Sequence, residues 1–422
     1  MSDRIFKGSL APRRYIVLDG LPNNPRARLT KGVRAHAFLP LDPPHSEVDT
    51  ARGWVSVEDE DRTDLNEAAL FFVASGTEHL RVTMRTDVLK VPPVEVKRRM
   101  KVRVAEMESA EGRTLSRREK RLLKEEVVRK LRLRAFPRTT LADVVWDLTT
   151  GRVWLLSTSR KDNESFVDLF AKSFGLRLEA ENVVAWSRQG TTPGKLAALE
   201  PTREMWMGFP GVRMLSTGAT GYQDDAVGHL EAEESGETPP DAAAAEQRDD
   251  LMFLAREFLT WLVFHAEVKG GDFADAESSF LLSFGGKLVL RSPAGLVTDL
   301  TMRGPSPVGS QDIHFAIAGG LAVKEADLRL ELNDRAWSFT LATEFFDLKR
   351  VKLPELLTEE SDDRVSERLA LLGELDETVH RAFLQFLQLR VSRAWKDEVV
   401  PAIREWLVNG ILAPQLADGG AA

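Results

Sequence analysis

The sequence predicts an α+β protein made of more than one domain. Its 422 residues are more than one hydrophobic core usually organises, and 43% hydrophobic with 29% charged residues is ordinary for a folded chain. Short apolar runs bounded by turn residues occur beside longer segments of helical periodicity, which favours a mixture of strands and helices. No period of about 20 to 50 residues recurs, so a repeat architecture is not expected.

Strands are predicted near the N-terminus. Arg14–Leu18, Ala68–Ser75 and His79–Met84 are short, largely apolar runs of the kind that form strands. Pro92-Pro93 ends this sheet and prepares a helix, because proline has no backbone N–H and its fixed φ suits a first helical turn.

A helical hairpin is predicted immediately after these prolines. Its first helix covers Val94–Ala110, and Glu111–Arg113 forms the turn. Ser116 and Glu119 have the spacing of a capping box, in which each side chain accepts a hydrogen bond from the other residue's backbone N–H. The second helix therefore begins at Ser116.

The second helix carries an apolar stripe and a basic face. The apolar stripe, spaced at intervals of four, consists of Leu123, Val127 and Leu131. The basic face consists of Arg117, Lys120, Arg121 and Lys124. We expect the stripe to close the hairpin, which leaves the basic face to solvent or to a polyanion.

Later elements follow the same reasoning. A strand pair flanks the turn Thr149–Gly151, and an amphipathic helix covers Glu164–Phe174. Helices are predicted at Met252–His265, Ile313–Val323, 364–392 and 402–408, and a β-hairpin turns at Asn333-Asp334.

The chain is predicted to divide into four regions. They are a central α+β domain at 1–92 and 139–190, a basic helical arm at 93–138, a variable region with an acidic flexible insert at 191–250, and a C-terminal α+β domain ending in long helices at 251–422.

Charge is strongly segregated along the chain. Glu95–Arg138 holds 16 Lys and Arg residues against 7 Asp and Glu residues, although the whole chain carries −8. Asp224–Asp250 holds ten acidic residues and one basic residue. Such asymmetry is typical of nucleic-acid contact, but a solvated helix pair is also rich in charge, so the charge pattern alone leaves both interpretations open.

Several classes of site are disfavoured. The chain has no cysteine, and its seven histidines lack the spacing of metal ligands. No phosphate-binding GxxxxGK[ST] motif occurs. We therefore predict no catalytic residues, no metal and no cofactor. The most apolar stretch, Leu251–Val268, is interrupted by charged residues, so a membrane partner is not expected. The absence of cysteine suits a reducing compartment, so a cytoplasmic location is expected.

The hairpin and its surroundings resemble the RdgC family of bacterial recombination-associated proteins. The resemblance rests on Val91–Lys97, Leu133–Phe136, Trp146-Asp147, Thr149–Gly151 and Phe174–Leu176, with weaker similarity at Arg14-Tyr15 and Ala316–Pro354. Residues 190–300 have little counterpart. The resemblance implies a ring-forming homodimer that encloses double-stranded DNA without sequence preference, associates with the nucleoid and limits access of the RecA recombinase during homologous recombination.

The resemblance also implies where the contacts lie. Phe136 and Arg303 are expected at dimer contacts, although the stretch Met302–Pro307 lacks the basic, glutamine-containing character of the family's finger. The residues expected to bind DNA are Lys97, Arg98, Lys101, Arg117, Arg118, Lys120, Arg121, Lys124, Arg132, Arg134 and Arg138. Independently of the family, basic residues along one helical face can neutralise phosphates without reading bases.

Two alternatives remain open from the sequence. Asp87 followed by Glu95-Val96-Lys97 superficially fits the D…ExK pattern of metal-dependent nucleases, but the prolines place the ExK at a helix start instead of on a strand. The hairpin could instead serve as a protein-interaction module that docks an acidic partner. Phe136 is by pattern alone an anchor at the foot of the hairpin, and by resemblance an interface residue.

Overall fold

The computed structural model describes residues 8–43, 45, 48–202, 251–274, 278–291, 299–305, 307–358 and 361–418. These residues form two compact units, one spanning Arg14–Glu179 and one combining Gly8–Arg13 with the described residues from Ala180 onward. Both contain helices and antiparallel strands, which confirms the α+β class. The predicted acidic insert at Asp224–Asp250 lies outside the described residues.

The first unit is a seven-stranded sheet with helices. In chain order its elements are β1 (Arg13–Val17), α1 (Pro25–Ala35), β2 (Thr50–Val55), α2 (Glu67–Leu70), β3 (Phe71–Ala74), β4 (Thr77–Val88), α3 (Pro93–Glu111), α4 (Arg117–Arg132), β5 (Arg138–Asp147), β6 (Arg152–Leu155), α5 (Arg160–Phe174) and β7 (Leu178–Ala180). The strand order is β2-β4-β5-β6-β1-β7, with β3 also paired to β4.

Aromatic side chains form the core of this unit. Trp54 of β2 stacks on Phe174 of α5 at a centroid distance of 6.1 Å, and Trp146 of β5 lies 5.1 Å from Phe170. The Trp54 indole N–H donates a hydrogen bond of 2.7 Å to Ser173 Oγ, which satisfies its buried polar atom. The core thus fixes α5 on the sheet from which the helical hairpin emerges.

One N-terminal prediction was partly wrong. The run Ala68–Ser75 does not form one strand: Asn66 caps the short helix α2 by accepting the Ala69 N–H, and only Phe71–Ala74 is extended. A polar cap that satisfies a backbone donor outweighs the apolar pattern over these few residues. The sequence interpretation also missed α1, whose Leu29 and Val33 are buried one helical turn apart.

The second unit is a six-stranded sheet with helices. Its elements are α6 (Val183–Gly190), α7 (Pro193–Ala197), α8 (Phe253–Lys269), β8 (Asp272–Ala274), β9 (Ser279–Arg291), β10 (Leu300–Arg303), α9 (Gln311–Ala318), β11 (Ala322–Leu332), β12 (Arg335–Ala342), β13 (Asp347–Lys352), α10 (Ser361–Arg390), a π-helical turn (Trp395–Val399) and α11 (Val400–Asp418). The strand order is β10-β9-β11-β12-β13, with β8 also paired to β9.

The predicted β-hairpin between β11 and β12 is confirmed. Asn333 and Asp334 have φ values of 50° and 61°, which a two-residue turn of type I′ requires at both positions. The helix predicted over Ile313–Val323 is shorter than expected, since it ends at Ala318 and β11 already begins at Ala322. Gly319 and Gly320 stop the helix there.

Helix α8 is buried although it contains titratable residues. Two of them, Glu257 and His265, are accommodated in different ways. Glu257 accepts a hydrogen bond of 2.6 Å from Arg390 Nε, and both side chains are at most 5% exposed. His265 packs against Phe273 and Trp261, and burial lowers its pKa to about 4.

Within the described ranges, no helix has the length and apolarity needed to cross a membrane.

Candidate nucleic-acid interface

The helical hairpin leaves the sheet from two neighbouring strands. Val88 at the end of β4 pairs with Arg138 at the start of β5, so the chain departs and returns at adjacent points. Pro93 is the first residue of α3, one residue before the predicted start at Val94, and the Pro92 carbonyl accepts the backbone N–H of Glu95. The paired strands therefore hold both ends of the hairpin close together.

Individual residues fix the turn of the hairpin and the start of its second helix. Gly112 ends α3 in the left-handed region with φ 65°, where a Cβ would be strained. The predicted capping box is confirmed: Ser116 Oγ accepts the Glu119 N–H at 3.3 Å, and Glu119 Oε2 accepts the Ser116 N–H at 2.8 Å. Hydrogen bonds from the Arg113 guanidinium and from Ser116 hold the pKa of Glu119 well below its usual range.

Helices α3 and α4 run antiparallel and close on a small apolar seam. Leu123 and Val127 are buried as predicted, and Leu131 is half-buried. The Lys120 Nζ lies 3.3 Å from Glu108 Oε1 across the two helices, and Arg103 and Glu126 attract each other further along. Among the described residues, neither helix packs extensively against any further helix or strand.

The Lys120–Glu108 ion pair shows which sides of the two helices adjoin. Lys97 and Lys101 lie about three and two turns before Glu108 on the same line of α3. Lys124 follows Lys120 by one turn of α4, and Arg117 precedes it by nearly one turn. These five cations therefore share one side of the hairpin. We call Lys97, Lys101, Arg117, Lys120 and Lys124 the basic flank, and all five are exposed.

The opposite side of the hairpin is charged but internally compensated. The Arg103–Glu126 attraction marks this side. Its ion pairs are Arg99 with Glu95, Arg103 with Glu106, and Lys130 with Glu126. We call Arg99, Arg103 and Lys130 the paired flank. Because each of its cations has a carboxylate neighbour, this side attracts a polyanion less than the basic flank does.

Some of the predicted DNA-binding residues already form ion pairs with acidic side chains, and others do not. Arg98 pairs with Glu95 at 2.9 Å, and Arg121 lies 3.9 Å from Glu125. Within the part of the chain that the structure describes, no carboxylate comes within 4.0 Å of Lys97, Lys101, Arg117, Arg118, Lys124, Arg134 or Arg138. These seven side chains belong to exposed residues.

Arg132 is held within the protein. Its Nε donates to Asp49 Oδ1 at 2.6 Å, while Nη1 and Nη2 donate to the carbonyls of Pro43 at 3.1 Å and Val48 at 2.8 Å. The side chain is only 14% exposed, so it is the least available of the predicted DNA contacts. Asp49 was not predicted to matter, because no local pattern signals a partner 83 residues away.

Phe136 does not serve as an anchor within the chain. Its side chain is 92% exposed and stands between the exposed residues Arg134 and Arg138. The apolar residues Val94 and Leu133, near the same foot of the hairpin, are 79% and 52% exposed. This leaves the interface interpretation of Phe136 as the prediction. Arg303 is exposed at the end of β10 in the second unit, opposite Lys287 in register.

The two carboxylates of the nuclease-like pattern, Asp87 and Glu95, form ion pairs with neighbouring arginines. Asp87 on β4 is 2% exposed and pairs with Arg85 at 3.0 Å. Glu95 lies in the first turn of α3, where Arg98 and then Arg99 lower its pKa. Across the described ranges, no three His, Asp or Glu side chains form a group suited to a metal ion.

Comparison with known proteins finds similarity over this region. Residues 23–189 match the family model described as "Putative exonuclease, RdgC". The Recombination-associated protein RdgC of Actinobacillus pleuropneumoniae serotype 7 (strain AP76) is 29% identical over 167 residues, covering 37% of this chain and 53% of that protein. The protein of the same name from Psychromonas ingrahamii is 27% identical over 139 residues, covering 31% and 46%.

The resemblance found in the sequence is thereby confirmed for residues 23–189, which are similar to the RdgC family. The chain spans about half the length of the curated relatives that it matches. Their names associate them with recombination, whereas the name of the family model refers to an exonuclease.

Proposed function

We propose that this protein binds double-stranded DNA without sequence preference through the basic flank. In this proposal two copies enclose the duplex, and bound DNA is less accessible to a RecA-type recombinase. The effect on homologous recombination is steric and requires neither catalysis nor a cofactor. The expected location is the cytoplasm, at the nucleoid.

The observation that carries the proposal is the separation of charge on the two sides of the hairpin. Lys97, Lys101, Arg117 and Lys124 have no carboxylate within 4.0 Å among the described residues, whereas the paired flank is compensated by Glu95, Glu106 and Glu126. Cations presented along one line can neutralise successive phosphates and release condensed counterions. Such contacts read no bases, so binding without sequence preference follows.

The composition of the surface favours duplex DNA over single strands. Single-strand binding proteins stack successive bases on several aromatic side chains. Phe136 is the one aromatic residue within Glu95–Arg138. A surface of cations with a single aromatic residue suits the phosphate backbone of a duplex.

Salt dependence tests the proposal. If six or more phosphates are engaged, raising salt from about 50 to 200 mM should weaken duplex binding by about a thousandfold or more, because counterion release makes affinity steeply salt-dependent. The measurement is fluorescence anisotropy with short duplexes of unrelated sequence. A flat salt response, or a strong preference for one sequence, would contradict the proposal.

Phe136 provides the test of dimerisation. We expect Phe136→Ala to weaken the dimer at least about tenfold, since an exposed aromatic residue with apolar neighbours is typical of an interface hot spot. Analytical ultracentrifugation measures the change, and Val73→Ala, at a site 65% exposed on β3, is the control. If Phe136→Ala leaves the mass of the oligomer and the retention of DNA unchanged, Phe136 is not part of the dimer interface.

A further inference from the structure

We infer that Arg132 and Asp49 form a latch that fixes the orientation of the hairpin, so that Arg132 acts on DNA binding as a positioning residue. This inference rests on the proposed function, because it concerns how the basic flank is presented. It assigns to Arg132 a role other than the direct phosphate contact that the sequence suggests. It also gives Asp49, an acidic residue, a favourable role in binding a polyanion.

The attachment of the hairpin makes such a latch necessary. Its two chain connections lie side by side, because β4 and β5 are paired at Val88 and Arg138. Two adjacent points define an axis, and a rigid hairpin can swing about that axis. A third contact away from the axis removes this freedom.

Arg132 makes that third contact, in the last turn of α4. Hydrogen bonds from its guanidinium reach Asp49, Pro43 and Val48, in the segment that leads into β2. Asp49 is itself fixed to the sheet, since its carbonyl accepts the Leu89 N–H at 2.8 Å. The guanidinium therefore connects α4 to a part of the chain that cannot follow a swinging hairpin.

Beyond these hydrogen bonds, the described residues Pro43, His45 and Asp49 lie across a groove from α4. A groove of about 940 Å³ separates them, with Pro43 and His45 on one side and Lys124 and Val128 on the other. The hydrogen bonds of Arg132 therefore cross a groove between α4 and the described residues of this segment. Arginine suits the role because its planar donors can hold a carboxylate and two carbonyls together, which a lysine amine cannot do in the same geometry.

Whether Asp49→Ala strengthens or weakens DNA binding tests the latch. Removing an anion beside a DNA-binding surface should strengthen binding if charge alone matters. The latch predicts the opposite, about tenfold weaker binding, because the hairpin then spends only a fraction of its time in the competent orientation. Asp42→Ala is the matched control: both carboxylates are 60% exposed, but Asp42 faces His45. We expect this control to bind DNA as tightly as the wild type or more tightly.

A distance measurement tests the latch without DNA. The chain has no cysteine, so spin labels can be placed at Thr114→Cys in the hairpin turn and Val73→Cys on β3. The distance distribution should be narrow in the wild-type background and with Asp42→Ala, and broad with Asp49→Ala. Arg132→Lys, which keeps the charge, should broaden it as well while leaving the salt slope of binding unchanged.

The outcomes separate the two proposals. An unbroadened distance distribution in Asp49→Ala and Arg132→Lys overturns the latch, as does equal or tighter DNA binding by Asp49→Ala. If the wild type does not bind duplex DNA at all, the proposed function fails, and the label distances still decide whether the latch exists.

Discussion

Reversing four charges on the basic flank should weaken duplex binding by about a thousandfold. The variant combines Lys97→Glu, Lys101→Glu, Lys120→Glu and Lys124→Glu, all at exposed positions. Near 150 mM salt, the counterions released at one phosphate contribute roughly 1 kcal/mol to binding, and the effects of the four substitutions multiply in the affinity. The slope of log affinity against log salt should also fall by about 3 to 4. Anisotropy titrations at several salt concentrations measure both changes.

The paired flank supplies a control in the same hairpin. Arg99→Glu, Arg103→Glu and Lys130→Glu together reverse three charges, and a three-residue version of the basic-flank variant matches that change in net charge. We expect the control to reduce affinity far less, because its cations already face Glu95, Glu106 and Glu126. Equal reductions from both flanks would show that net charge, and not the arrangement on one side, determines binding.

Glu257→Ala should destabilise the second unit by about 3 to 5 kcal/mol, because it leaves a buried charge without its counter-ion. The Glu257 carboxylate is 2% exposed and accepts hydrogen bonds from Arg390 Nε and from the Thr202 N–H. The charge left behind is the Arg390 guanidinium, which is 5% exposed. Urea unfolding followed by tryptophan fluorescence measures the change.

A double variant distinguishes the effect of an unpaired charge from that of poorer packing. Replacing the pair by Glu257→Leu with Arg390→Met removes both charges while keeping side chains of similar volume. We expect this variant to be more stable than Glu257→Ala, since no unpaired charge remains. If the double variant is destabilised by the sum of the effects of Glu257→Leu alone and Arg390→Met alone, Arg390 and Glu257 do not depend on each other.

Local patterns predicted the hairpin well. Pro93 at the first turn, Gly112 at the end of α3 and the Ser116–Glu119 capping box all act over a few residues, and the structure confirms each. The Asn333-Asp334 turn was predictable for the same reason, since both residues tolerate positive φ. Where a backbone requirement is met by neighbouring side chains, the sequence alone indicates the structure.

The arrangement of the candidate site could not be predicted in the same way. The sequence indicated the basic face of α4, but which α3 residues stand beside it depends on the Lys120–Glu108 contact between helices. The Arg132–Asp49 bond joins residues 83 positions apart and has no local signature. The exposure of Phe136 likewise depends on how the foot of the hairpin packs, which periodicity does not report.

The central claim is that one side of the hairpin faces DNA, and lysine protection tests it most directly. The protein is acetylated with and without a saturating short duplex, and modification is read at each lysine by mass spectrometry. Duplex DNA should protect Lys97, Lys101, Lys120 and Lys124, while Lys130, which is 58% exposed on the paired flank, should stay reactive. Protection of Lys130 equal to that of the four, or no protection at any of them, would contradict DNA binding on the basic flank.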